Sequence, residues 1–307
     1  MKISSYGGVI AAANEKLAFP LCKIGNTTAV QRIVMNYQQA GVFPIVIMSG
    51  AEEDEVRYQL SSSGVIFLPP EQSRPELFET VKTGFHFLQE ICDKIVFTPV
   101  NVPLFSPRTL RTLMNTPGDI VSPSYRGSSG HPMIVSAEVI PEILTYEGEQ
   151  GLRGAAASMK DRRVWVDVQN DDGILYTIHH GELPTERMEL HHREILHLAA
   201  EMSLKKDSTV FDSRTKLLLL LIWKNRSVKA ACQQMALSGS KAWEMLNMLE
   251  HSLDIKLVER RHGGAKGGRT TLSKQGLLFL REYCRMEEEL LLYAQQKFDA
   301  FQAALRL

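Results

Sequence analysis

Up to about Gly181 the chain alternates short β-rich runs with longer helix-patterned stretches, and this alternation limits the fold more than any other feature. The runs at 8–13 (GVIAAA), 43–48 (FPIVIM), 65–68 and 94–98 (KIVFT) read as strands. Between and after them, 26–40, 53–61, 74–89 and 106–114 carry apolar residues at helical spacing, the first capped by Asn26 or Thr27. Further strands are expected at 119–122, 133–136 and 163–168. Strands that alternate with helices pack as a largely parallel sheet covered on both faces, an α/β arrangement.

Beyond Gly181 the pattern stops. Residues 186–212 are polar, His-rich and irregular and read as a linker, and from Ser213 the periodicity is helical. A length of 307 residues fits two domains, here 1–185 and 213–307. The chain has 35 basic and 35 acidic residues, so any nucleic-acid surface must be a local patch. Cys22, Cys92, Cys232 and Cys284 are widely spaced, as expected of reduced thiols in a cytoplasmic protein. The longest apolar run, 217–223, is too short to span a membrane.

In the second part, 212–223 reads as an apolar helix and 228–235 as a second, capped by Ser227. Ala236, Leu237 and Ser238 form a tight turn, and 240–250 a third helix. The third helix buries Ala242, Met245, Leu246 and Leu249 and presents Ser240, Lys241, Glu244 and Asn247. Small residues at a helix crossing, a short turn and a polar third helix describe a helix-turn-helix whose third helix enters the major groove. Strand-like runs at 256–261 and 269–272 flank a glycine-rich tip, HGGAKGG, and form a wing. Between His251 and Gln275 stand six Lys or Arg against two acids, suited to neutralising phosphates. A last helix, 273–304, carries Leu277, Leu280, Cys284, Glu287, Leu291, Ala294, Phe298, Phe301 and Leu305 at alternating steps of three and four. This seam is the expected dimerisation element.

The segments QQMALSGSKAWEMLNMLE and LVERRHGGAKGGRTTLSKQG resemble the DNA-binding domain of the molybdate-responsive transcriptional regulator, related to LysR-type regulators. The resemblance covers about 213–276. It implies duplex DNA as partner, with Ser238, Ser240, Lys241 and Trp243 at or near the DNA and Arg260, Arg261, Lys266 and Arg269 in the wing. Trp243 reads equally well as a packing residue.

The opening IAAANEKLAFPLCKIGNTTAVQRIV, then FTPVNVPLFSPRTL, SPSYRGSSGHPMIVS and GEQGLRGAAAS, resemble in order the landmarks of molybdopterin cytidylyl- and guanylyltransferases. The resemblance spans about 7–183 and implies a Rossmann-like nucleotidyltransferase domain. Its nucleotide-binding positions would be Ala12, Ala13, Lys16 or Lys23, Asn101, Gly130 and His131, as vestiges of the family's site. The chemistry expects a glycine-rich phosphate loop and carboxylates holding magnesium. Here the loop is AAANEK, and Asn101 stands where the family carries Asp. Thr177 and His179 stand where a second acidic site is expected, leaving Glu149 and Asp171 as other carboxylates to weigh. No metal site is expected of His179, His180, His191, His192 and His197, which lack an acid or Cys at ligand spacing.

The expected molecule is thus a degenerate nucleotidyltransferase-like α/β domain with a mostly parallel sheet, followed by an α-rich winged helix-turn-helix with a long C-terminal helix. Its function is that of a DNA-binding regulator linked to molybdenum-cofactor metabolism, with the first domain as sensor of a nucleotide or molybdopterin ligand or as scaffold. The alternative is a working transferase, using magnesium and a nucleoside triphosphate, with an attached DNA-binding domain. No residue is assigned a catalytic role.

Overall fold

The computed structural model describes residues 2–12, 19–50, 53–61, 63–69, 77–178, 198, 200–261 and 269–305. The chain divides into two compact units, Met1–Leu60 with Phe67–His197, and Ser61–Ile66 with Leu198–Leu307.

In the first unit the chain runs through β1 (Ser4–Ala11), a small hairpin of β2 (Lys23–Ile24) and β3 (Thr27–Thr28), α1 (Ala29–Gln39), β4 (Ile45–Met48), α2 (Glu53–Gln59) and β5 (Ile66–Leu68). It continues through α3 (Leu77–Leu88), β6 (Cys92–Pro99), α4 (Pro107–Asn115), β7 (Ile120–Tyr125), β8 (Ser128–Ser129), β9 (Met133–Ser136), α5 (Ile140–Leu144), α6 (Gly151–Ser158) and β10 (Arg163–Asp167). The sheet order is β10-β7-β9-β6-β1-β4-β5, with β8 paired to β7. As expected, the sheet is mostly parallel: β1 pairs parallel with both β4 and β6, and β10 pairs parallel with β7. The exceptions are β9, antiparallel to both β6 and β7, and β8, antiparallel to β7.

Strand β1 is central and buried on both faces, so it reads as a continuous apolar run. Gly8 sits where α1 crosses it. A Cβ there would lie 2.5 Å from the ring of Tyr37, a fully buried residue whose hydroxyl donates to Thr98 Oγ1 at 2.8 Å. Helix α1 starts later than the expected cap at Asn26 or Thr27. Those residues belong to the hairpin, and the Gln31 side chain accepts from the N–H of Thr28 at 2.9 Å, a reach-back that fixes the first turn.

In the second unit, β11 (Leu204–Lys205) and β12 (Thr209–Phe211) pair antiparallel, within the stretch expected as linker. Phe211 is fully buried, edge-on to both Phe279 and Tyr283. Then come α7 (Ser213–Asn225), α8 (Val228–Gln234), α9 (Gly239–Leu253), the hairpin of β13 (Val258–Arg261) and β14 (Arg269–Leu272), and α10 (Lys274–Leu305). Asp212 caps α7 by accepting from the N–H of Thr215, and every residue from Leu217 to Ile222 is buried. Ser227 caps α8 and Ser238 caps α9 in the same way. Ala236 takes a left-handed conformation, φ 49°, which turns the chain between α8 and α9. Lys216 in α7 forms an ion pair with Glu287 of α10. Among the described residues no helix is long and apolar enough to cross a membrane.

The packing at Gly8 predicts that Gly8→Ala, by overfilling the space under Tyr37, costs about 1–3 kcal/mol. Urea unfolding would show this as a lowered midpoint, whereas an unchanged midpoint would mean that α1 can lift from β1 freely.

Candidate functional sites

From β1 the chain passes through α1 to β4 on one side; after β5 it returns through α3 to β6 on the other. The connections therefore diverge between β1 and β6. In open α/β sheets such a switch point leaves a crevice at the carboxyl ends of the strands, and ligands bind there. Ala11 ends β1 opposite Pro99, the last residue of β6. Ala12 donates its N–H to Met48 O at 2.9 Å, and Val100 donates to Ala11 O at 3.0 Å. Ala12 and Asn101 thus stand together at this edge. Gly130 and His131 stand at the same edge, because β9 runs the opposite way and begins there. Lys23 is exposed on β2. Ala13, Lys16 and the cluster His179, His180, His191, His192 and His197 lie outside the described residues.

The donor set at this edge does not fit a divalent metal. Asn101 is buried and uncharged, and its backbone carbonyl accepts from Ile178 N–H at 2.8 Å. The Thr177 hydroxyl donates to Leu175 O. Asp171 is buried but fully engaged. One of its oxygens accepts from Ser106 N–H at 2.8 Å and Thr109 Oγ1 at 2.6 Å, and the other from Gly173 N–H at 3.1 Å. It ties the first turn of α4 to the 171–173 turn and acts as a structural anchor. Glu149 is exposed. Among the described residues no three His, Cys, Asp or Glu side chains group as metal ligands. Hard cations need oxygen ligands with charge to replace their water shell.

Gly130 packs against the Ile174 backbone so closely that a Cβ would collide with its carbonyl oxygen. His131 N–H donates to that same carbonyl at 3.0 Å. The imidazole lies edge-on to Phe97 with ring centroids 5.5 Å apart, and its Nδ1 is buried without a hydrogen-bond partner. Burial and, less strongly, the Arg163 charge push its pKa down to about 4, against a smaller opposing effect from the Phe97 backbone. Sequence reasoning missed Arg163. It donates from Nε to Ser122 Oγ at 3.1 Å and stacks its guanidinium 3.9 Å from the Trp165 ring centre.

In the second unit, Ser238, Ser240 and Lys241 are exposed at the start of α9. Lys241 pairs with Glu244 at 2.8 Å. Trp243 is half-buried, and the Arg260 guanidinium of β13 lies 3.7 Å from its ring centre. Glu250 accepts from Leu257 and Val258 N–H at 2.7 and 3.0 Å, fixing the hairpin to α9. Arg269 is exposed opposite Arg261, and Lys266 lies outside the described residues.

His131 gives a pH signature. Its folded pKa lies below the ordinary 6.5, so the unfolded chain takes up the proton first as pH falls. Stability is full above about pH 6.5 and is lost progressively toward pH 4. His131→Asn should lose less stability than the wild type between about pH 7 and 5 in urea titrations. Equal losses would mean that the imidazole is accessible to protons in the folded state.

Residues 15–164 match the family described as the MobA-like NTP transferase domain. No curated protein matches the sequence. Among solved structures, a nucleotidyl transferase from Methanothermobacter aligns with a TM-score of 0.51 at 17% identity, covering 62% of this chain and 97% of that one. Rv0371c of Mycobacterium tuberculosis aligns at 0.48 and 20% identity, covering 55% and 92%. The manganese complex of Rv0371c aligns at 0.45 and 21% identity, covering 53% and 89%. Residues 15–164 thus match the MobA-like NTP transferase family, and the first of these alignments shows the nucleotidyl transferase fold.

Proposed function

We propose that the chain is a cytoplasmic, DNA-binding transcriptional regulator linked to molybdenum-cofactor metabolism, in which the NTP transferase domain serves as ligand sensor or scaffold and not as catalyst. The observation that carries the DNA-binding half is the order of elements in the second unit. Two helices and a left-handed turn lead to α9, whose exposed first turn carries Ser238, Ser240 and Lys241. A basic two-stranded hairpin follows, tied back to α9 by Glu250 and by the stack of Arg260 on Trp243. We read this order as that of a winged helix-turn-helix, in which the third helix reads the major groove and the wing contacts backbone. The resemblance of 213–276 to the molybdate-responsive regulator and the MobA-like domain at 15–164 both favour molybdenum-cofactor biology. For the first unit, the loss of charge at Asn101 and the structural use of Asp171 favour binding of a nucleotide or molybdopterin ligand without turnover.

A homodimer through α10 is part of the proposal. The last buried residue of that helix is Cys284, while Leu290, Leu292, Tyr293, Phe301 and Leu305 are exposed on a single chain. Two turns or more of helix with this much apolar surface are marginal alone in water. Pairing two copies would cover it and present two reading helices to a two-fold symmetric DNA site.

Changing Arg260 and Arg269 together to Ala should weaken duplex binding on all sequences and flatten the salt dependence by about one unit per lost phosphate contact. Unchanged affinity and slope would remove the hairpin from the DNA interface. Leu291→Glu with Phe298→Glu should in parallel sediment as monomer and bind half-sites only; a variant that remains dimeric would place the interface elsewhere.

A further inference from the structure

Helix α1 places a charged residue in an apolar stripe. Ala29, Val30, Ile33, Val34 and Tyr37 are buried, and Arg32 is buried with them at 8% exposure. Its Nε is shielded from water without a hydrogen-bond partner, and among the described residues no carboxylate faces it. Burial lowers its pKa. A buried, unpaired cation is among the costliest groups a fold can hold. No described residue supplies its counter-charge, so an anion from outside the chain can take that place.

The position of Arg32 says where. Residues three and four apart share one face of a helix, so Arg32 lies in one stripe with Ala29 and Asn36. Ala29 packs with Leu104 and Ile178, and Asn36 donates from Nδ2 to Phe105 O at 2.8 Å. Ile178 is the residue whose N–H is held by the Asn101 carbonyl. Arg32 therefore stands in the first turn of α1, on the stripe that faces 104–105 and 178, beside the switch-point edge that carries the uncharged Asn101. We propose that Arg32 is the anion-binding group of this crevice, taking the phosphate charge of a phosphorylated ligand directly and without a divalent metal. The inference rests on the reading of the first unit as a ligand-binding domain.

A guanidinium suits that task. It is always charged, offers a planar fork of donors to phosphate oxygens, and loses less on desolvation than an ammonium. A metal needs charged oxygens around it, which this edge lacks; a fixed cation needs none. The ligand's phosphate would also offset the cost of burying Arg32, so binding should stabilise the fold strongly.

The test is calorimetry on the full chain with inorganic pyrophosphate and with CTP as probes, in EDTA and in magnesium, for the wild type, Arg32→Met and Arg32→Lys. Both probes should bind in EDTA with the same affinity as in magnesium. Arg32→Met should weaken binding at least about tenfold, and Arg32→Lys should keep part of the affinity. The melting temperature of ligand-free Arg32→Met should equal or exceed that of the wild type, since an unpaired buried charge has been removed. Binding that needs magnesium, or that survives in Arg32→Met, would overturn the role of Arg32 while leaving a ligand-binding domain in place. A ligand-free Arg32→Met that melts well below the wild type would overturn it too, by revealing a structural partner. If neither probe binds in either medium, the role of Arg32 and the sensor reading both fall.

Discussion

The first unit depends on the pairing of β1 with two parallel neighbours that the chain reaches in opposite directions. Once β4 lies on one side and β6 on the other, the connections must part at the carboxyl ends of these strands. The crevice is a consequence of strand order and does not need any particular side chain. What the domain can do there is then decided by the few residues that the strand ends carry: Ala12 after β1, Asn101 after β6, and Gly130 and His131 before β9. These are uncharged groups, apart from an imidazole that burial keeps neutral. Carboxylates at these points would offer a metal charged ligands, which the amide of Asn101 does not.

Charge in this domain has been moved into structural work. Asp171 accepts three hydrogen bonds and joins α4 to the turn after β10. Removing any of its donors would cost stability before it freed an oxygen for chemistry. Arg32 is the reverse case, a charge that no described residue pairs. In the second unit the polar groups are tied as closely. Glu250 closes the start of the hairpin, Arg260 lies on Trp243, and Lys216 is paired with Glu287 under the long helix. The first two tie the hairpin to α9 and the third ties α7 to α10, so each pair is held in one geometry.

Much of this was legible from local pattern. The alternation of strands and helices announced a mostly parallel sheet, and the spacing from Ser227 to Leu249 announced two helices and a turn. Other features depend on partners far away in the chain. That β9 inserts antiparallel between β6 and β7 is a matter of register across the sheet, to which residues 133–136 give no local clue. The cap of α1 moved to Thr28 because 23–28 closes a hairpin first. The hairpin at 204–211 looked irregular because its apolar anchor, Phe211, is buried by Phe279 and Tyr283 some seventy residues on. Asp171 looked like a free carboxylate because its donors come from 106 and 109. Arg163 and Arg32 were both overlooked, and the signal for Arg32 was local: it interrupts the apolar stripe of α1 at a position that must face inward.

The most direct measurement is pyrophosphate release from CTP and GTP by the full chain, with magnesium and molybdopterin cofactor supplied. Nucleotidyl transfer develops negative charge on the departing pyrophosphate, which a site must stabilise as it forms. With Asn101, Thr177 and an engaged Asp171 at the strand ends, release should not rise above the protein-free background. Clear turnover that disappears when Lys16 and Lys23 are both changed to Ala would contradict the account and make the domain a working transferase.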